Sequence, residues 1–178
     1  MTDLGVELLP AVIPLFPLDG VLMLPHGSLP LHVFEPRYLN MVEDAAGSDG
    51  VIGMIQPSSS QTEEGKSLLY AVGCAGRIIR DEEAPEGRRN ITLTGLSRFD
   101  LADELPLYRG YRRAHVSYDR FTADVNRTEL ETVDTSVLLE KVAKYFSARG
   151  FAADWSAIRE MPGEALINML AMICPFES

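Results

Sequence analysis

Cysteine, lysine, histidine and long apolar runs are all scarce in this chain, and each scarcity excludes something. The two cysteines, Cys74 and Cys174, lie far apart in apolar surroundings. They are too few for a disulfide framework or a zinc site, and free buried thiols are the expectation. Three histidines, His26, His32 and His115, are scattered without ligand spacing. No apolar run approaches the ~20 residues that span a bilayer. The opening MTDLGVELLP lacks the basic start and apolar centre of a secretory signal. The cytoplasm is therefore the expected compartment, with no membrane partner. Lysine occurs only at Lys66, Lys141 and Lys144, and none sits in a serine-peptidase motif. Glu64-Gly65-Lys66-Ser67 keeps only the end of a phosphate loop, with no paired upstream glycine. A Gly-x-Ser-x-Gly nucleophile elbow is also missing. No catalytic residue, cofactor or metal is expected.

Positive charge is in deficit too. Asp plus Glu number 26 against 16 for Lys plus Arg, a net charge of −10. Nucleic-acid binding draws much of its affinity from cations that neutralise phosphates. One basic cluster exists, Arg109, Arg112 and Arg113, interleaved with Tyr108 and Tyr111. That is the composition of a base-stacking platform. Alternation on a half-solvated strand explains the same residues at less cost, with Asp103, Glu104 and Asp119 close by in sequence. Nucleic acid is not an expected partner.

What is present is a soluble globular composition, 46% hydrophobic and 24% charged over 178 residues. Short β-branched or aromatic runs predict strands at 12–16, 29–34, 51–55, 69–79, 90–96 and 111–118. Pro14 and Pro17 suit an edge strand or strand end, because they donate no N–H. One helix interrupts the strands: from Pro36, with Tyr38, Leu39, Val42 and Ala46 at helical spacing, to a stop at Gly47. The Ser-rich stretch 55–65 reads as a mobile loop, and 81–89 as a second, charged loop. Beyond about Asp119 the period turns helical. Val137, Leu138, Val142, Tyr145 and Phe146 predict a helix over 134–149, capped by Asp134 or Thr135 and ended by Gly150. Asp154 caps a short second helix, and a third begins near Pro162 with Glu164 in its first turn.

The most informative stretch is 13–38, IPLFPLDGVLMLPHGSLPLHVFEPRY. It reads apolar run, Pro/Gly turn, apolar run, then Phe-Glu-Pro-Arg-Tyr entering a helix at Pro36. With 70–79 (YAVGCAGRII), 93–101 (LTGLSRFDL) and 162–176 (PGEALINMLAMICPF), it resembles the amino-terminal domain of Lon ATP-dependent proteases. That domain also occurs as a stand-alone bacterial protein and inside cereblon. The resemblance covers nearly the whole chain. It departs at Pro25-His26-Gly27, where the family usually reads Pro-Gly, and at the ending on Ser178, where many relatives continue.

The resemblance implies an α+β fold: a six-stranded, PUA-like β pseudo-barrel with one short helix over residues 1–120, then a small helical bundle over 121–178. Its structural motif falls on Pro17, Glu35, Pro36, Arg37, Gly73, Gly76, Gly95, Arg98 and Phe99. The glycines read as bulges or close strand approaches, and Arg98 as a partner for Glu35. The implied function is non-catalytic recognition of unfolded or damaged polypeptides, as an adaptor or quality-control factor. A full-length Lon protease is a further partner, and a homodimer a further expectation. Phe34, Tyr38, Met41, Met23 and Met54 are the candidate polypeptide-binding residues, although such side chains are more often core. The edges marked by prolines near Ile13 and Leu31 read either as open to a peptide strand or as blocked. The alternative is a small-molecule or enzymatic pocket between sheet and helices, with the three histidines as its acid–base groups.

Overall fold

A computed structural model describes residues 9–61, 65, 67–125, 134–161 and 163–173. The chain forms two compact units, residues 1–127 and 128–178. The first is built on β1 (Val12–Pro17), β2 (Ser28–Val33), α1 (Pro36–Ala46), β3 (Val51–Ile55), β4 (Pro57–Gln61), β5 (Ser67–Leu69), β6 (Val72–Ala84), β7 (Arg88–Tyr108), β8 (Tyr111–Ser117) and α2 (Thr122–Val125). Six strands form one sheet in the order β2-β7-β6-β3-β1-β8, and β7 pairs again with β8. That second pairing closes five strands into a barrel and leaves β2 as a flap on β7. The fold is α+β, as expected.

The side-chain period of two explains the core. Strand β3 is buried at every position. Its Val51 and Ile55 join Ile13, Leu15, Ala75 and Phe99 in one cluster. Its Ile52 and Met54 face the opposite way, into a second cluster with Phe16, Met41, Val42 and Leu93. A strand covered on both faces reads as a continuous apolar run. Helix α1 supplies Tyr38, Met41, Val42 and Ala45 to the second cluster. It also carries the chain between β1 and β3, a parallel pair that no tight hairpin can join.

Several expectations need correcting. The Ser-rich stretch is not a loop throughout, because Pro57–Gln61 pairs with Ser67–Leu69 as a two-stranded sheet. Lys66 and Glu64 lie outside the described residues. The charged segment 81–89 is a hairpin: β6 runs to Ala84, and only Pro85–Gly87 turns, with Glu86 at φ 64° and Gly87 at φ 71°. Charge is tolerated there because one face of each strand meets solvent. Strand β1 is not an edge, although Pro17 stands at its end as the alternative expectation had it. It pairs with β8 through residues 12–15 and with β3 through 15–17, so Pro14 lies before the β3 pairing begins. Gly47 ends α1 in an ordinary right-handed conformation at φ −79°. The left-handed residue is Gly50, whose N–H donates to the Ala45 carbonyl at 2.9 Å.

Open sheet edges among the described residues include two on the six-stranded sheet. One is the outer side of β2, which contains Pro30. The other is β6 beyond Ile78, since β3 pairs only with residues 74–77. That edge carries Asp81, Glu82 and Glu83.

Polar clamps fix the turns. Arg98 does not reach Glu35. Its backbone N–H and its Nε each donate to Asp124 at 2.9 Å, and its Nη2 at 2.7 Å, which ties β7 to α2. Burial acts to raise the Asp124 carboxyl, but the hydrogen bonds from Arg98 outweigh it and hold the group below the ordinary carboxylate range. Arg109, at φ 46° in the β7–β8 turn, donates to Asp44 and, at 2.7 Å, to Glu43. Tyr111 Oη donates to the other Asp44 oxygen at 2.9 Å. Burial first, then that carboxylate, pushes the Tyr111 phenol up to about 12. Gly95 meets the chain at closest quarters: a Cβ there would lie 2.1 Å from the Leu24 carbonyl oxygen.

The second unit comprises α3 (Ser136–Arg149), α4 (Trp155–Glu160) and α5 (Gly163–Ile173). Phe146, Ile158, Leu166 and Leu170 form its core. Asp134 accepts from the Ser136 N–H at 2.9 Å, while Thr135, at the N-cap itself, makes no side-chain cap. Asp154 caps α4 through the N–H groups of Ser156 and Ala157. Gly150 ends α3 at φ 70°. Pro162, Cys174 and the ending at Ser178 lie outside the described residues, as does the Glu164 side chain.

Glycine substitutions separate these roles. Gly95→Ala drives a Cβ into backbone and is expected to cost about 3 kcal/mol. Gly47→Ala has no neighbour closer than 3.5 Å and is expected to change stability by under about 1 kcal/mol, in the stabilising direction. Urea unfolding midpoints decide both. Asp124→Asn is expected to cost about 1–3 kcal/mol at pH 7. Because the folded-state carboxyl is depressed, its contribution is full above the unfolded value near ~3.9. It is lost as pH falls through the lower folded value. The variant's deficit in urea unfolding therefore shrinks on moving from neutral pH to below about pH 3.

Candidate polypeptide-binding surface

The Phe-Glu-Pro-Arg-Tyr segment forms the β2-to-α1 junction. Pro36 opens the helix, and Glu35 sits at its N-cap without bonding the backbone there. Instead the Glu35 carboxylate accepts from Arg37 Nε at 3.0 Å and Nη2 at 2.6 Å. The Arg37 guanidinium then lies 4.6 Å over the Tyr38 ring. Tyr38 stacks against Phe16 with ring centroids 4.2 Å apart. Around this junction lies an open hollow of about 390 Å³, walled by Pro17, Tyr38, Pro57 and Leu107 and edged by Arg37 and Arg112. Gly110, at φ 90°, comes close to Arg37, and a Cβ there would lie 3.2 Å from the arginine's own.

The five candidate binding residues separate. Phe34 is 60% exposed, beside His32. Met41 is fully buried under α1, and Tyr38 is 8% exposed. Met23 and Met54 are each 3% exposed, at the floor of a narrow groove by the start of β6. Tyr38 thus lines the hollow, Phe34 stands apart from it beside His32, and the two methionines share the groove. Of the structural motif, Gly73 and Gly76 stand where a Cβ would come within 2.4 Å of Phe99 and 2.5 Å of Met23. Phe99 itself is fully buried.

Exposed apolar side chains supply what the candidate set did not contain. Leu22, Leu68, Tyr70, Val72, Ile79, Leu107 and Tyr108 all lie on the first unit. Alternation does not predict them. Ile79, the extra residue at the register shift between Ile78 and Arg80, is exposed while its neighbour Ile78 packs on the core.

Two arginines of the basic cluster are ion-paired within the fold and the third stacks on a ring. Arg109 is held by Glu43 and Asp44, Arg112 by Glu104 at 2.9 Å, and Arg113 lies 4.7 Å over the Tyr108 ring. Arg109 and Arg112, already paired with carboxylates, offer little to phosphates. His32 Nδ1 lies 2.7 Å from Asn90 Oδ1, in a shallow depression with Arg80 and Glu82. His26 and His115 are exposed elsewhere. Burial first, and the nearby Asp124 second, push the Cys74 thiol up to about 12, so it is not a thiolate nucleophile. Among the described residues no group of three or more His, Cys, Asp or Glu side chains could hold a metal ion. No described helix is long and apolar enough to cross a membrane.

Comparison with known proteins agrees with this architecture. The family model of the ATP-dependent protease La (LON) substrate-binding domain matches residues 12–178. Lon protease 2 of Myxococcus xanthus is 30% identical over 145 residues, covering 78% of this chain and 16% of that protein. The Lon protease of Anaeromyxobacter dehalogenans is 29% identical over 142 residues, with the same coverage of 78% and 16%. The chain thus spans about one sixth of the length of these relatives. Among solved structures, a Lon N-terminal domain protein from Xanthomonas campestris matches with a TM-score of 0.55 at 24% identity, covering 85% of this chain and 83% of that one. The N-terminal domain of the Mycobacterium avium complex Lon protease matches with a TM-score of 0.62 at 11% identity, covering 93% and 84%. These two likenesses concern the fold alone. The chain belongs to the LON substrate-binding domain family.

Proposed function

We propose that this chain is a non-catalytic polypeptide-binding module that captures unfolded or damaged chains, as an adaptor or quality-control factor working with a Lon protease in the cytoplasm. The observation that carries the reading is the match to a substrate-binding domain over residues 12–178. The surface is consistent with it. Unfolded polypeptides are recognised by exposed apolar and aromatic groups, and the first unit exposes Leu22, Phe34, Tyr70, Val72, Leu107 and Tyr108. A raised Cys74 thiol and arginines held in internal pairs offer no comparable chemistry for catalysis.

Reduced, alkylated lysozyme, which cannot refold, is the direct probe. Saturable binding by fluorescence anisotropy, with native lysozyme left unbound, is the expected outcome. Equal indifference to both forms by the folded protein would sink the reading. The adaptor role is tested separately, by adding the chain to a purified Lon protease and timing degradation of the same unfolded lysozyme. Faster degradation is expected.

A further inference from the structure

Resting on that reading, we propose that the groove at the start of β6 holds one apolar side chain of an extended client segment whose flanking residues are basic or neutral. The groove has a volume of about 90 Å³. That is room for about three waters or one aliphatic side chain. Met23 and Met54 form its floor, with Cys74 across from Met54 in the β3–β6 register. Leu22 and Val72 stand at its lip, 40% and 39% exposed.

The groove is built by the fold. Segment 21–24 is pressed against β7, with the Leu24 carbonyl seated where Gly95 lacks a side chain. Met23 lies over Gly76 in the same way. The Gln56 amide donates to the Val21 carbonyl at 3.3 Å, holding the other end of the segment to the end of β3. Methionine suits such a floor, since its unbranched side chain adapts to varied shapes.

Charge decides the occupant. Among the described residues the one ionised side chain lining the groove, Arg98, is balanced by the Asp124 carboxylate. The groove therefore has no net charge of its own to hold an acidic or basic side chain, and a buried charge without a partner is costly. The whole chain carries a net charge of −10. Its field repels acidic segments and draws basic ones. An apolar anchor between basic flanks satisfies both conditions.

The test uses a fluorescein-labelled peptide with a central Leu-Ala-Val-Leu stretch between lysines, and a twin with aspartates in place of the lysines. Anisotropy titrations are run with the intact chain and with Leu22→Ser, Val72→Ser and, in the second unit, Val137→Ser, each checked for folding by circular dichroism. The expected result is about tenfold weaker binding of the lysine-flanked peptide by each lip variant. The aspartate twin is expected to bind the unchanged chain about tenfold more weakly at low salt. Val137, 60% exposed, is the control and leaves binding unchanged. If folded lip variants bind as the unchanged chain does, the groove assignment is wrong while polypeptide binding stands. Equal binding of the two peptides overturns the charge selection. If the unchanged chain binds neither peptide nor unfolded lysozyme, the proposed function fails, and the groove with it.

Discussion

Strand β7 is the member on which the rest of the domain depends. Over 21 residues it pairs with β2 through 89–94, with β6 through 88–100 and with β8 through 100–108. A flat strand of that length could not serve three partners. Register shifts along both the β6 and the β8 pairings let it bend around the core. The barrel closes only because its far half leaves β6 and turns to β8. Phe99, near that change of partner, is fully buried. The Leu24 carbonyl on Gly95 and the Asp124 carboxylate on Arg98 hold the same strand within four residues of each other.

Much of this was legible in the residues because local chemistry and tertiary demand agree there. Pro36 begins a helix whose apolar spacing is met by buried Tyr38, Met41, Val42 and Ala45. Asp154 and Gly150 cap where capping chemistry says they should. The apolar run 51–55 announces a strand covered on both faces. What stayed illegible has a common cause. Asp81 to Arg89 carries enough charge to look like a loop, yet a strand pair needs only one buried face. Local composition does not report what lies across the sheet.

The candidate surface shows the same limit more sharply. Phe34, Met41 and Met54 share a composition that suits either a groove or a core. Phe34, one residue past β2, stays in solvent, while Met41 sits on the core-facing side of α1. Leu22 and Val72 lie at a lip because two segments far apart in sequence converge there. The pairing of Arg98 with Asp124, 26 positions away, is likewise a matter of topology. Motif spacing identified Arg98 but not its partner.

The two open edges carry a consequence for how such a molecule survives at high concentration. A domain that displays apolar groups risks recruiting its own copies into stacked sheets. Here the outer edge of β2 is interrupted by Pro30, which has no N–H to offer an incoming strand. The open stretch of β6 carries Glu83 beside Asp81 and Glu82, which pair with Arg89 and Arg80, so an incoming strand meets a row of charged side chains. At these two edges the backbone is a poor template for an incoming strand.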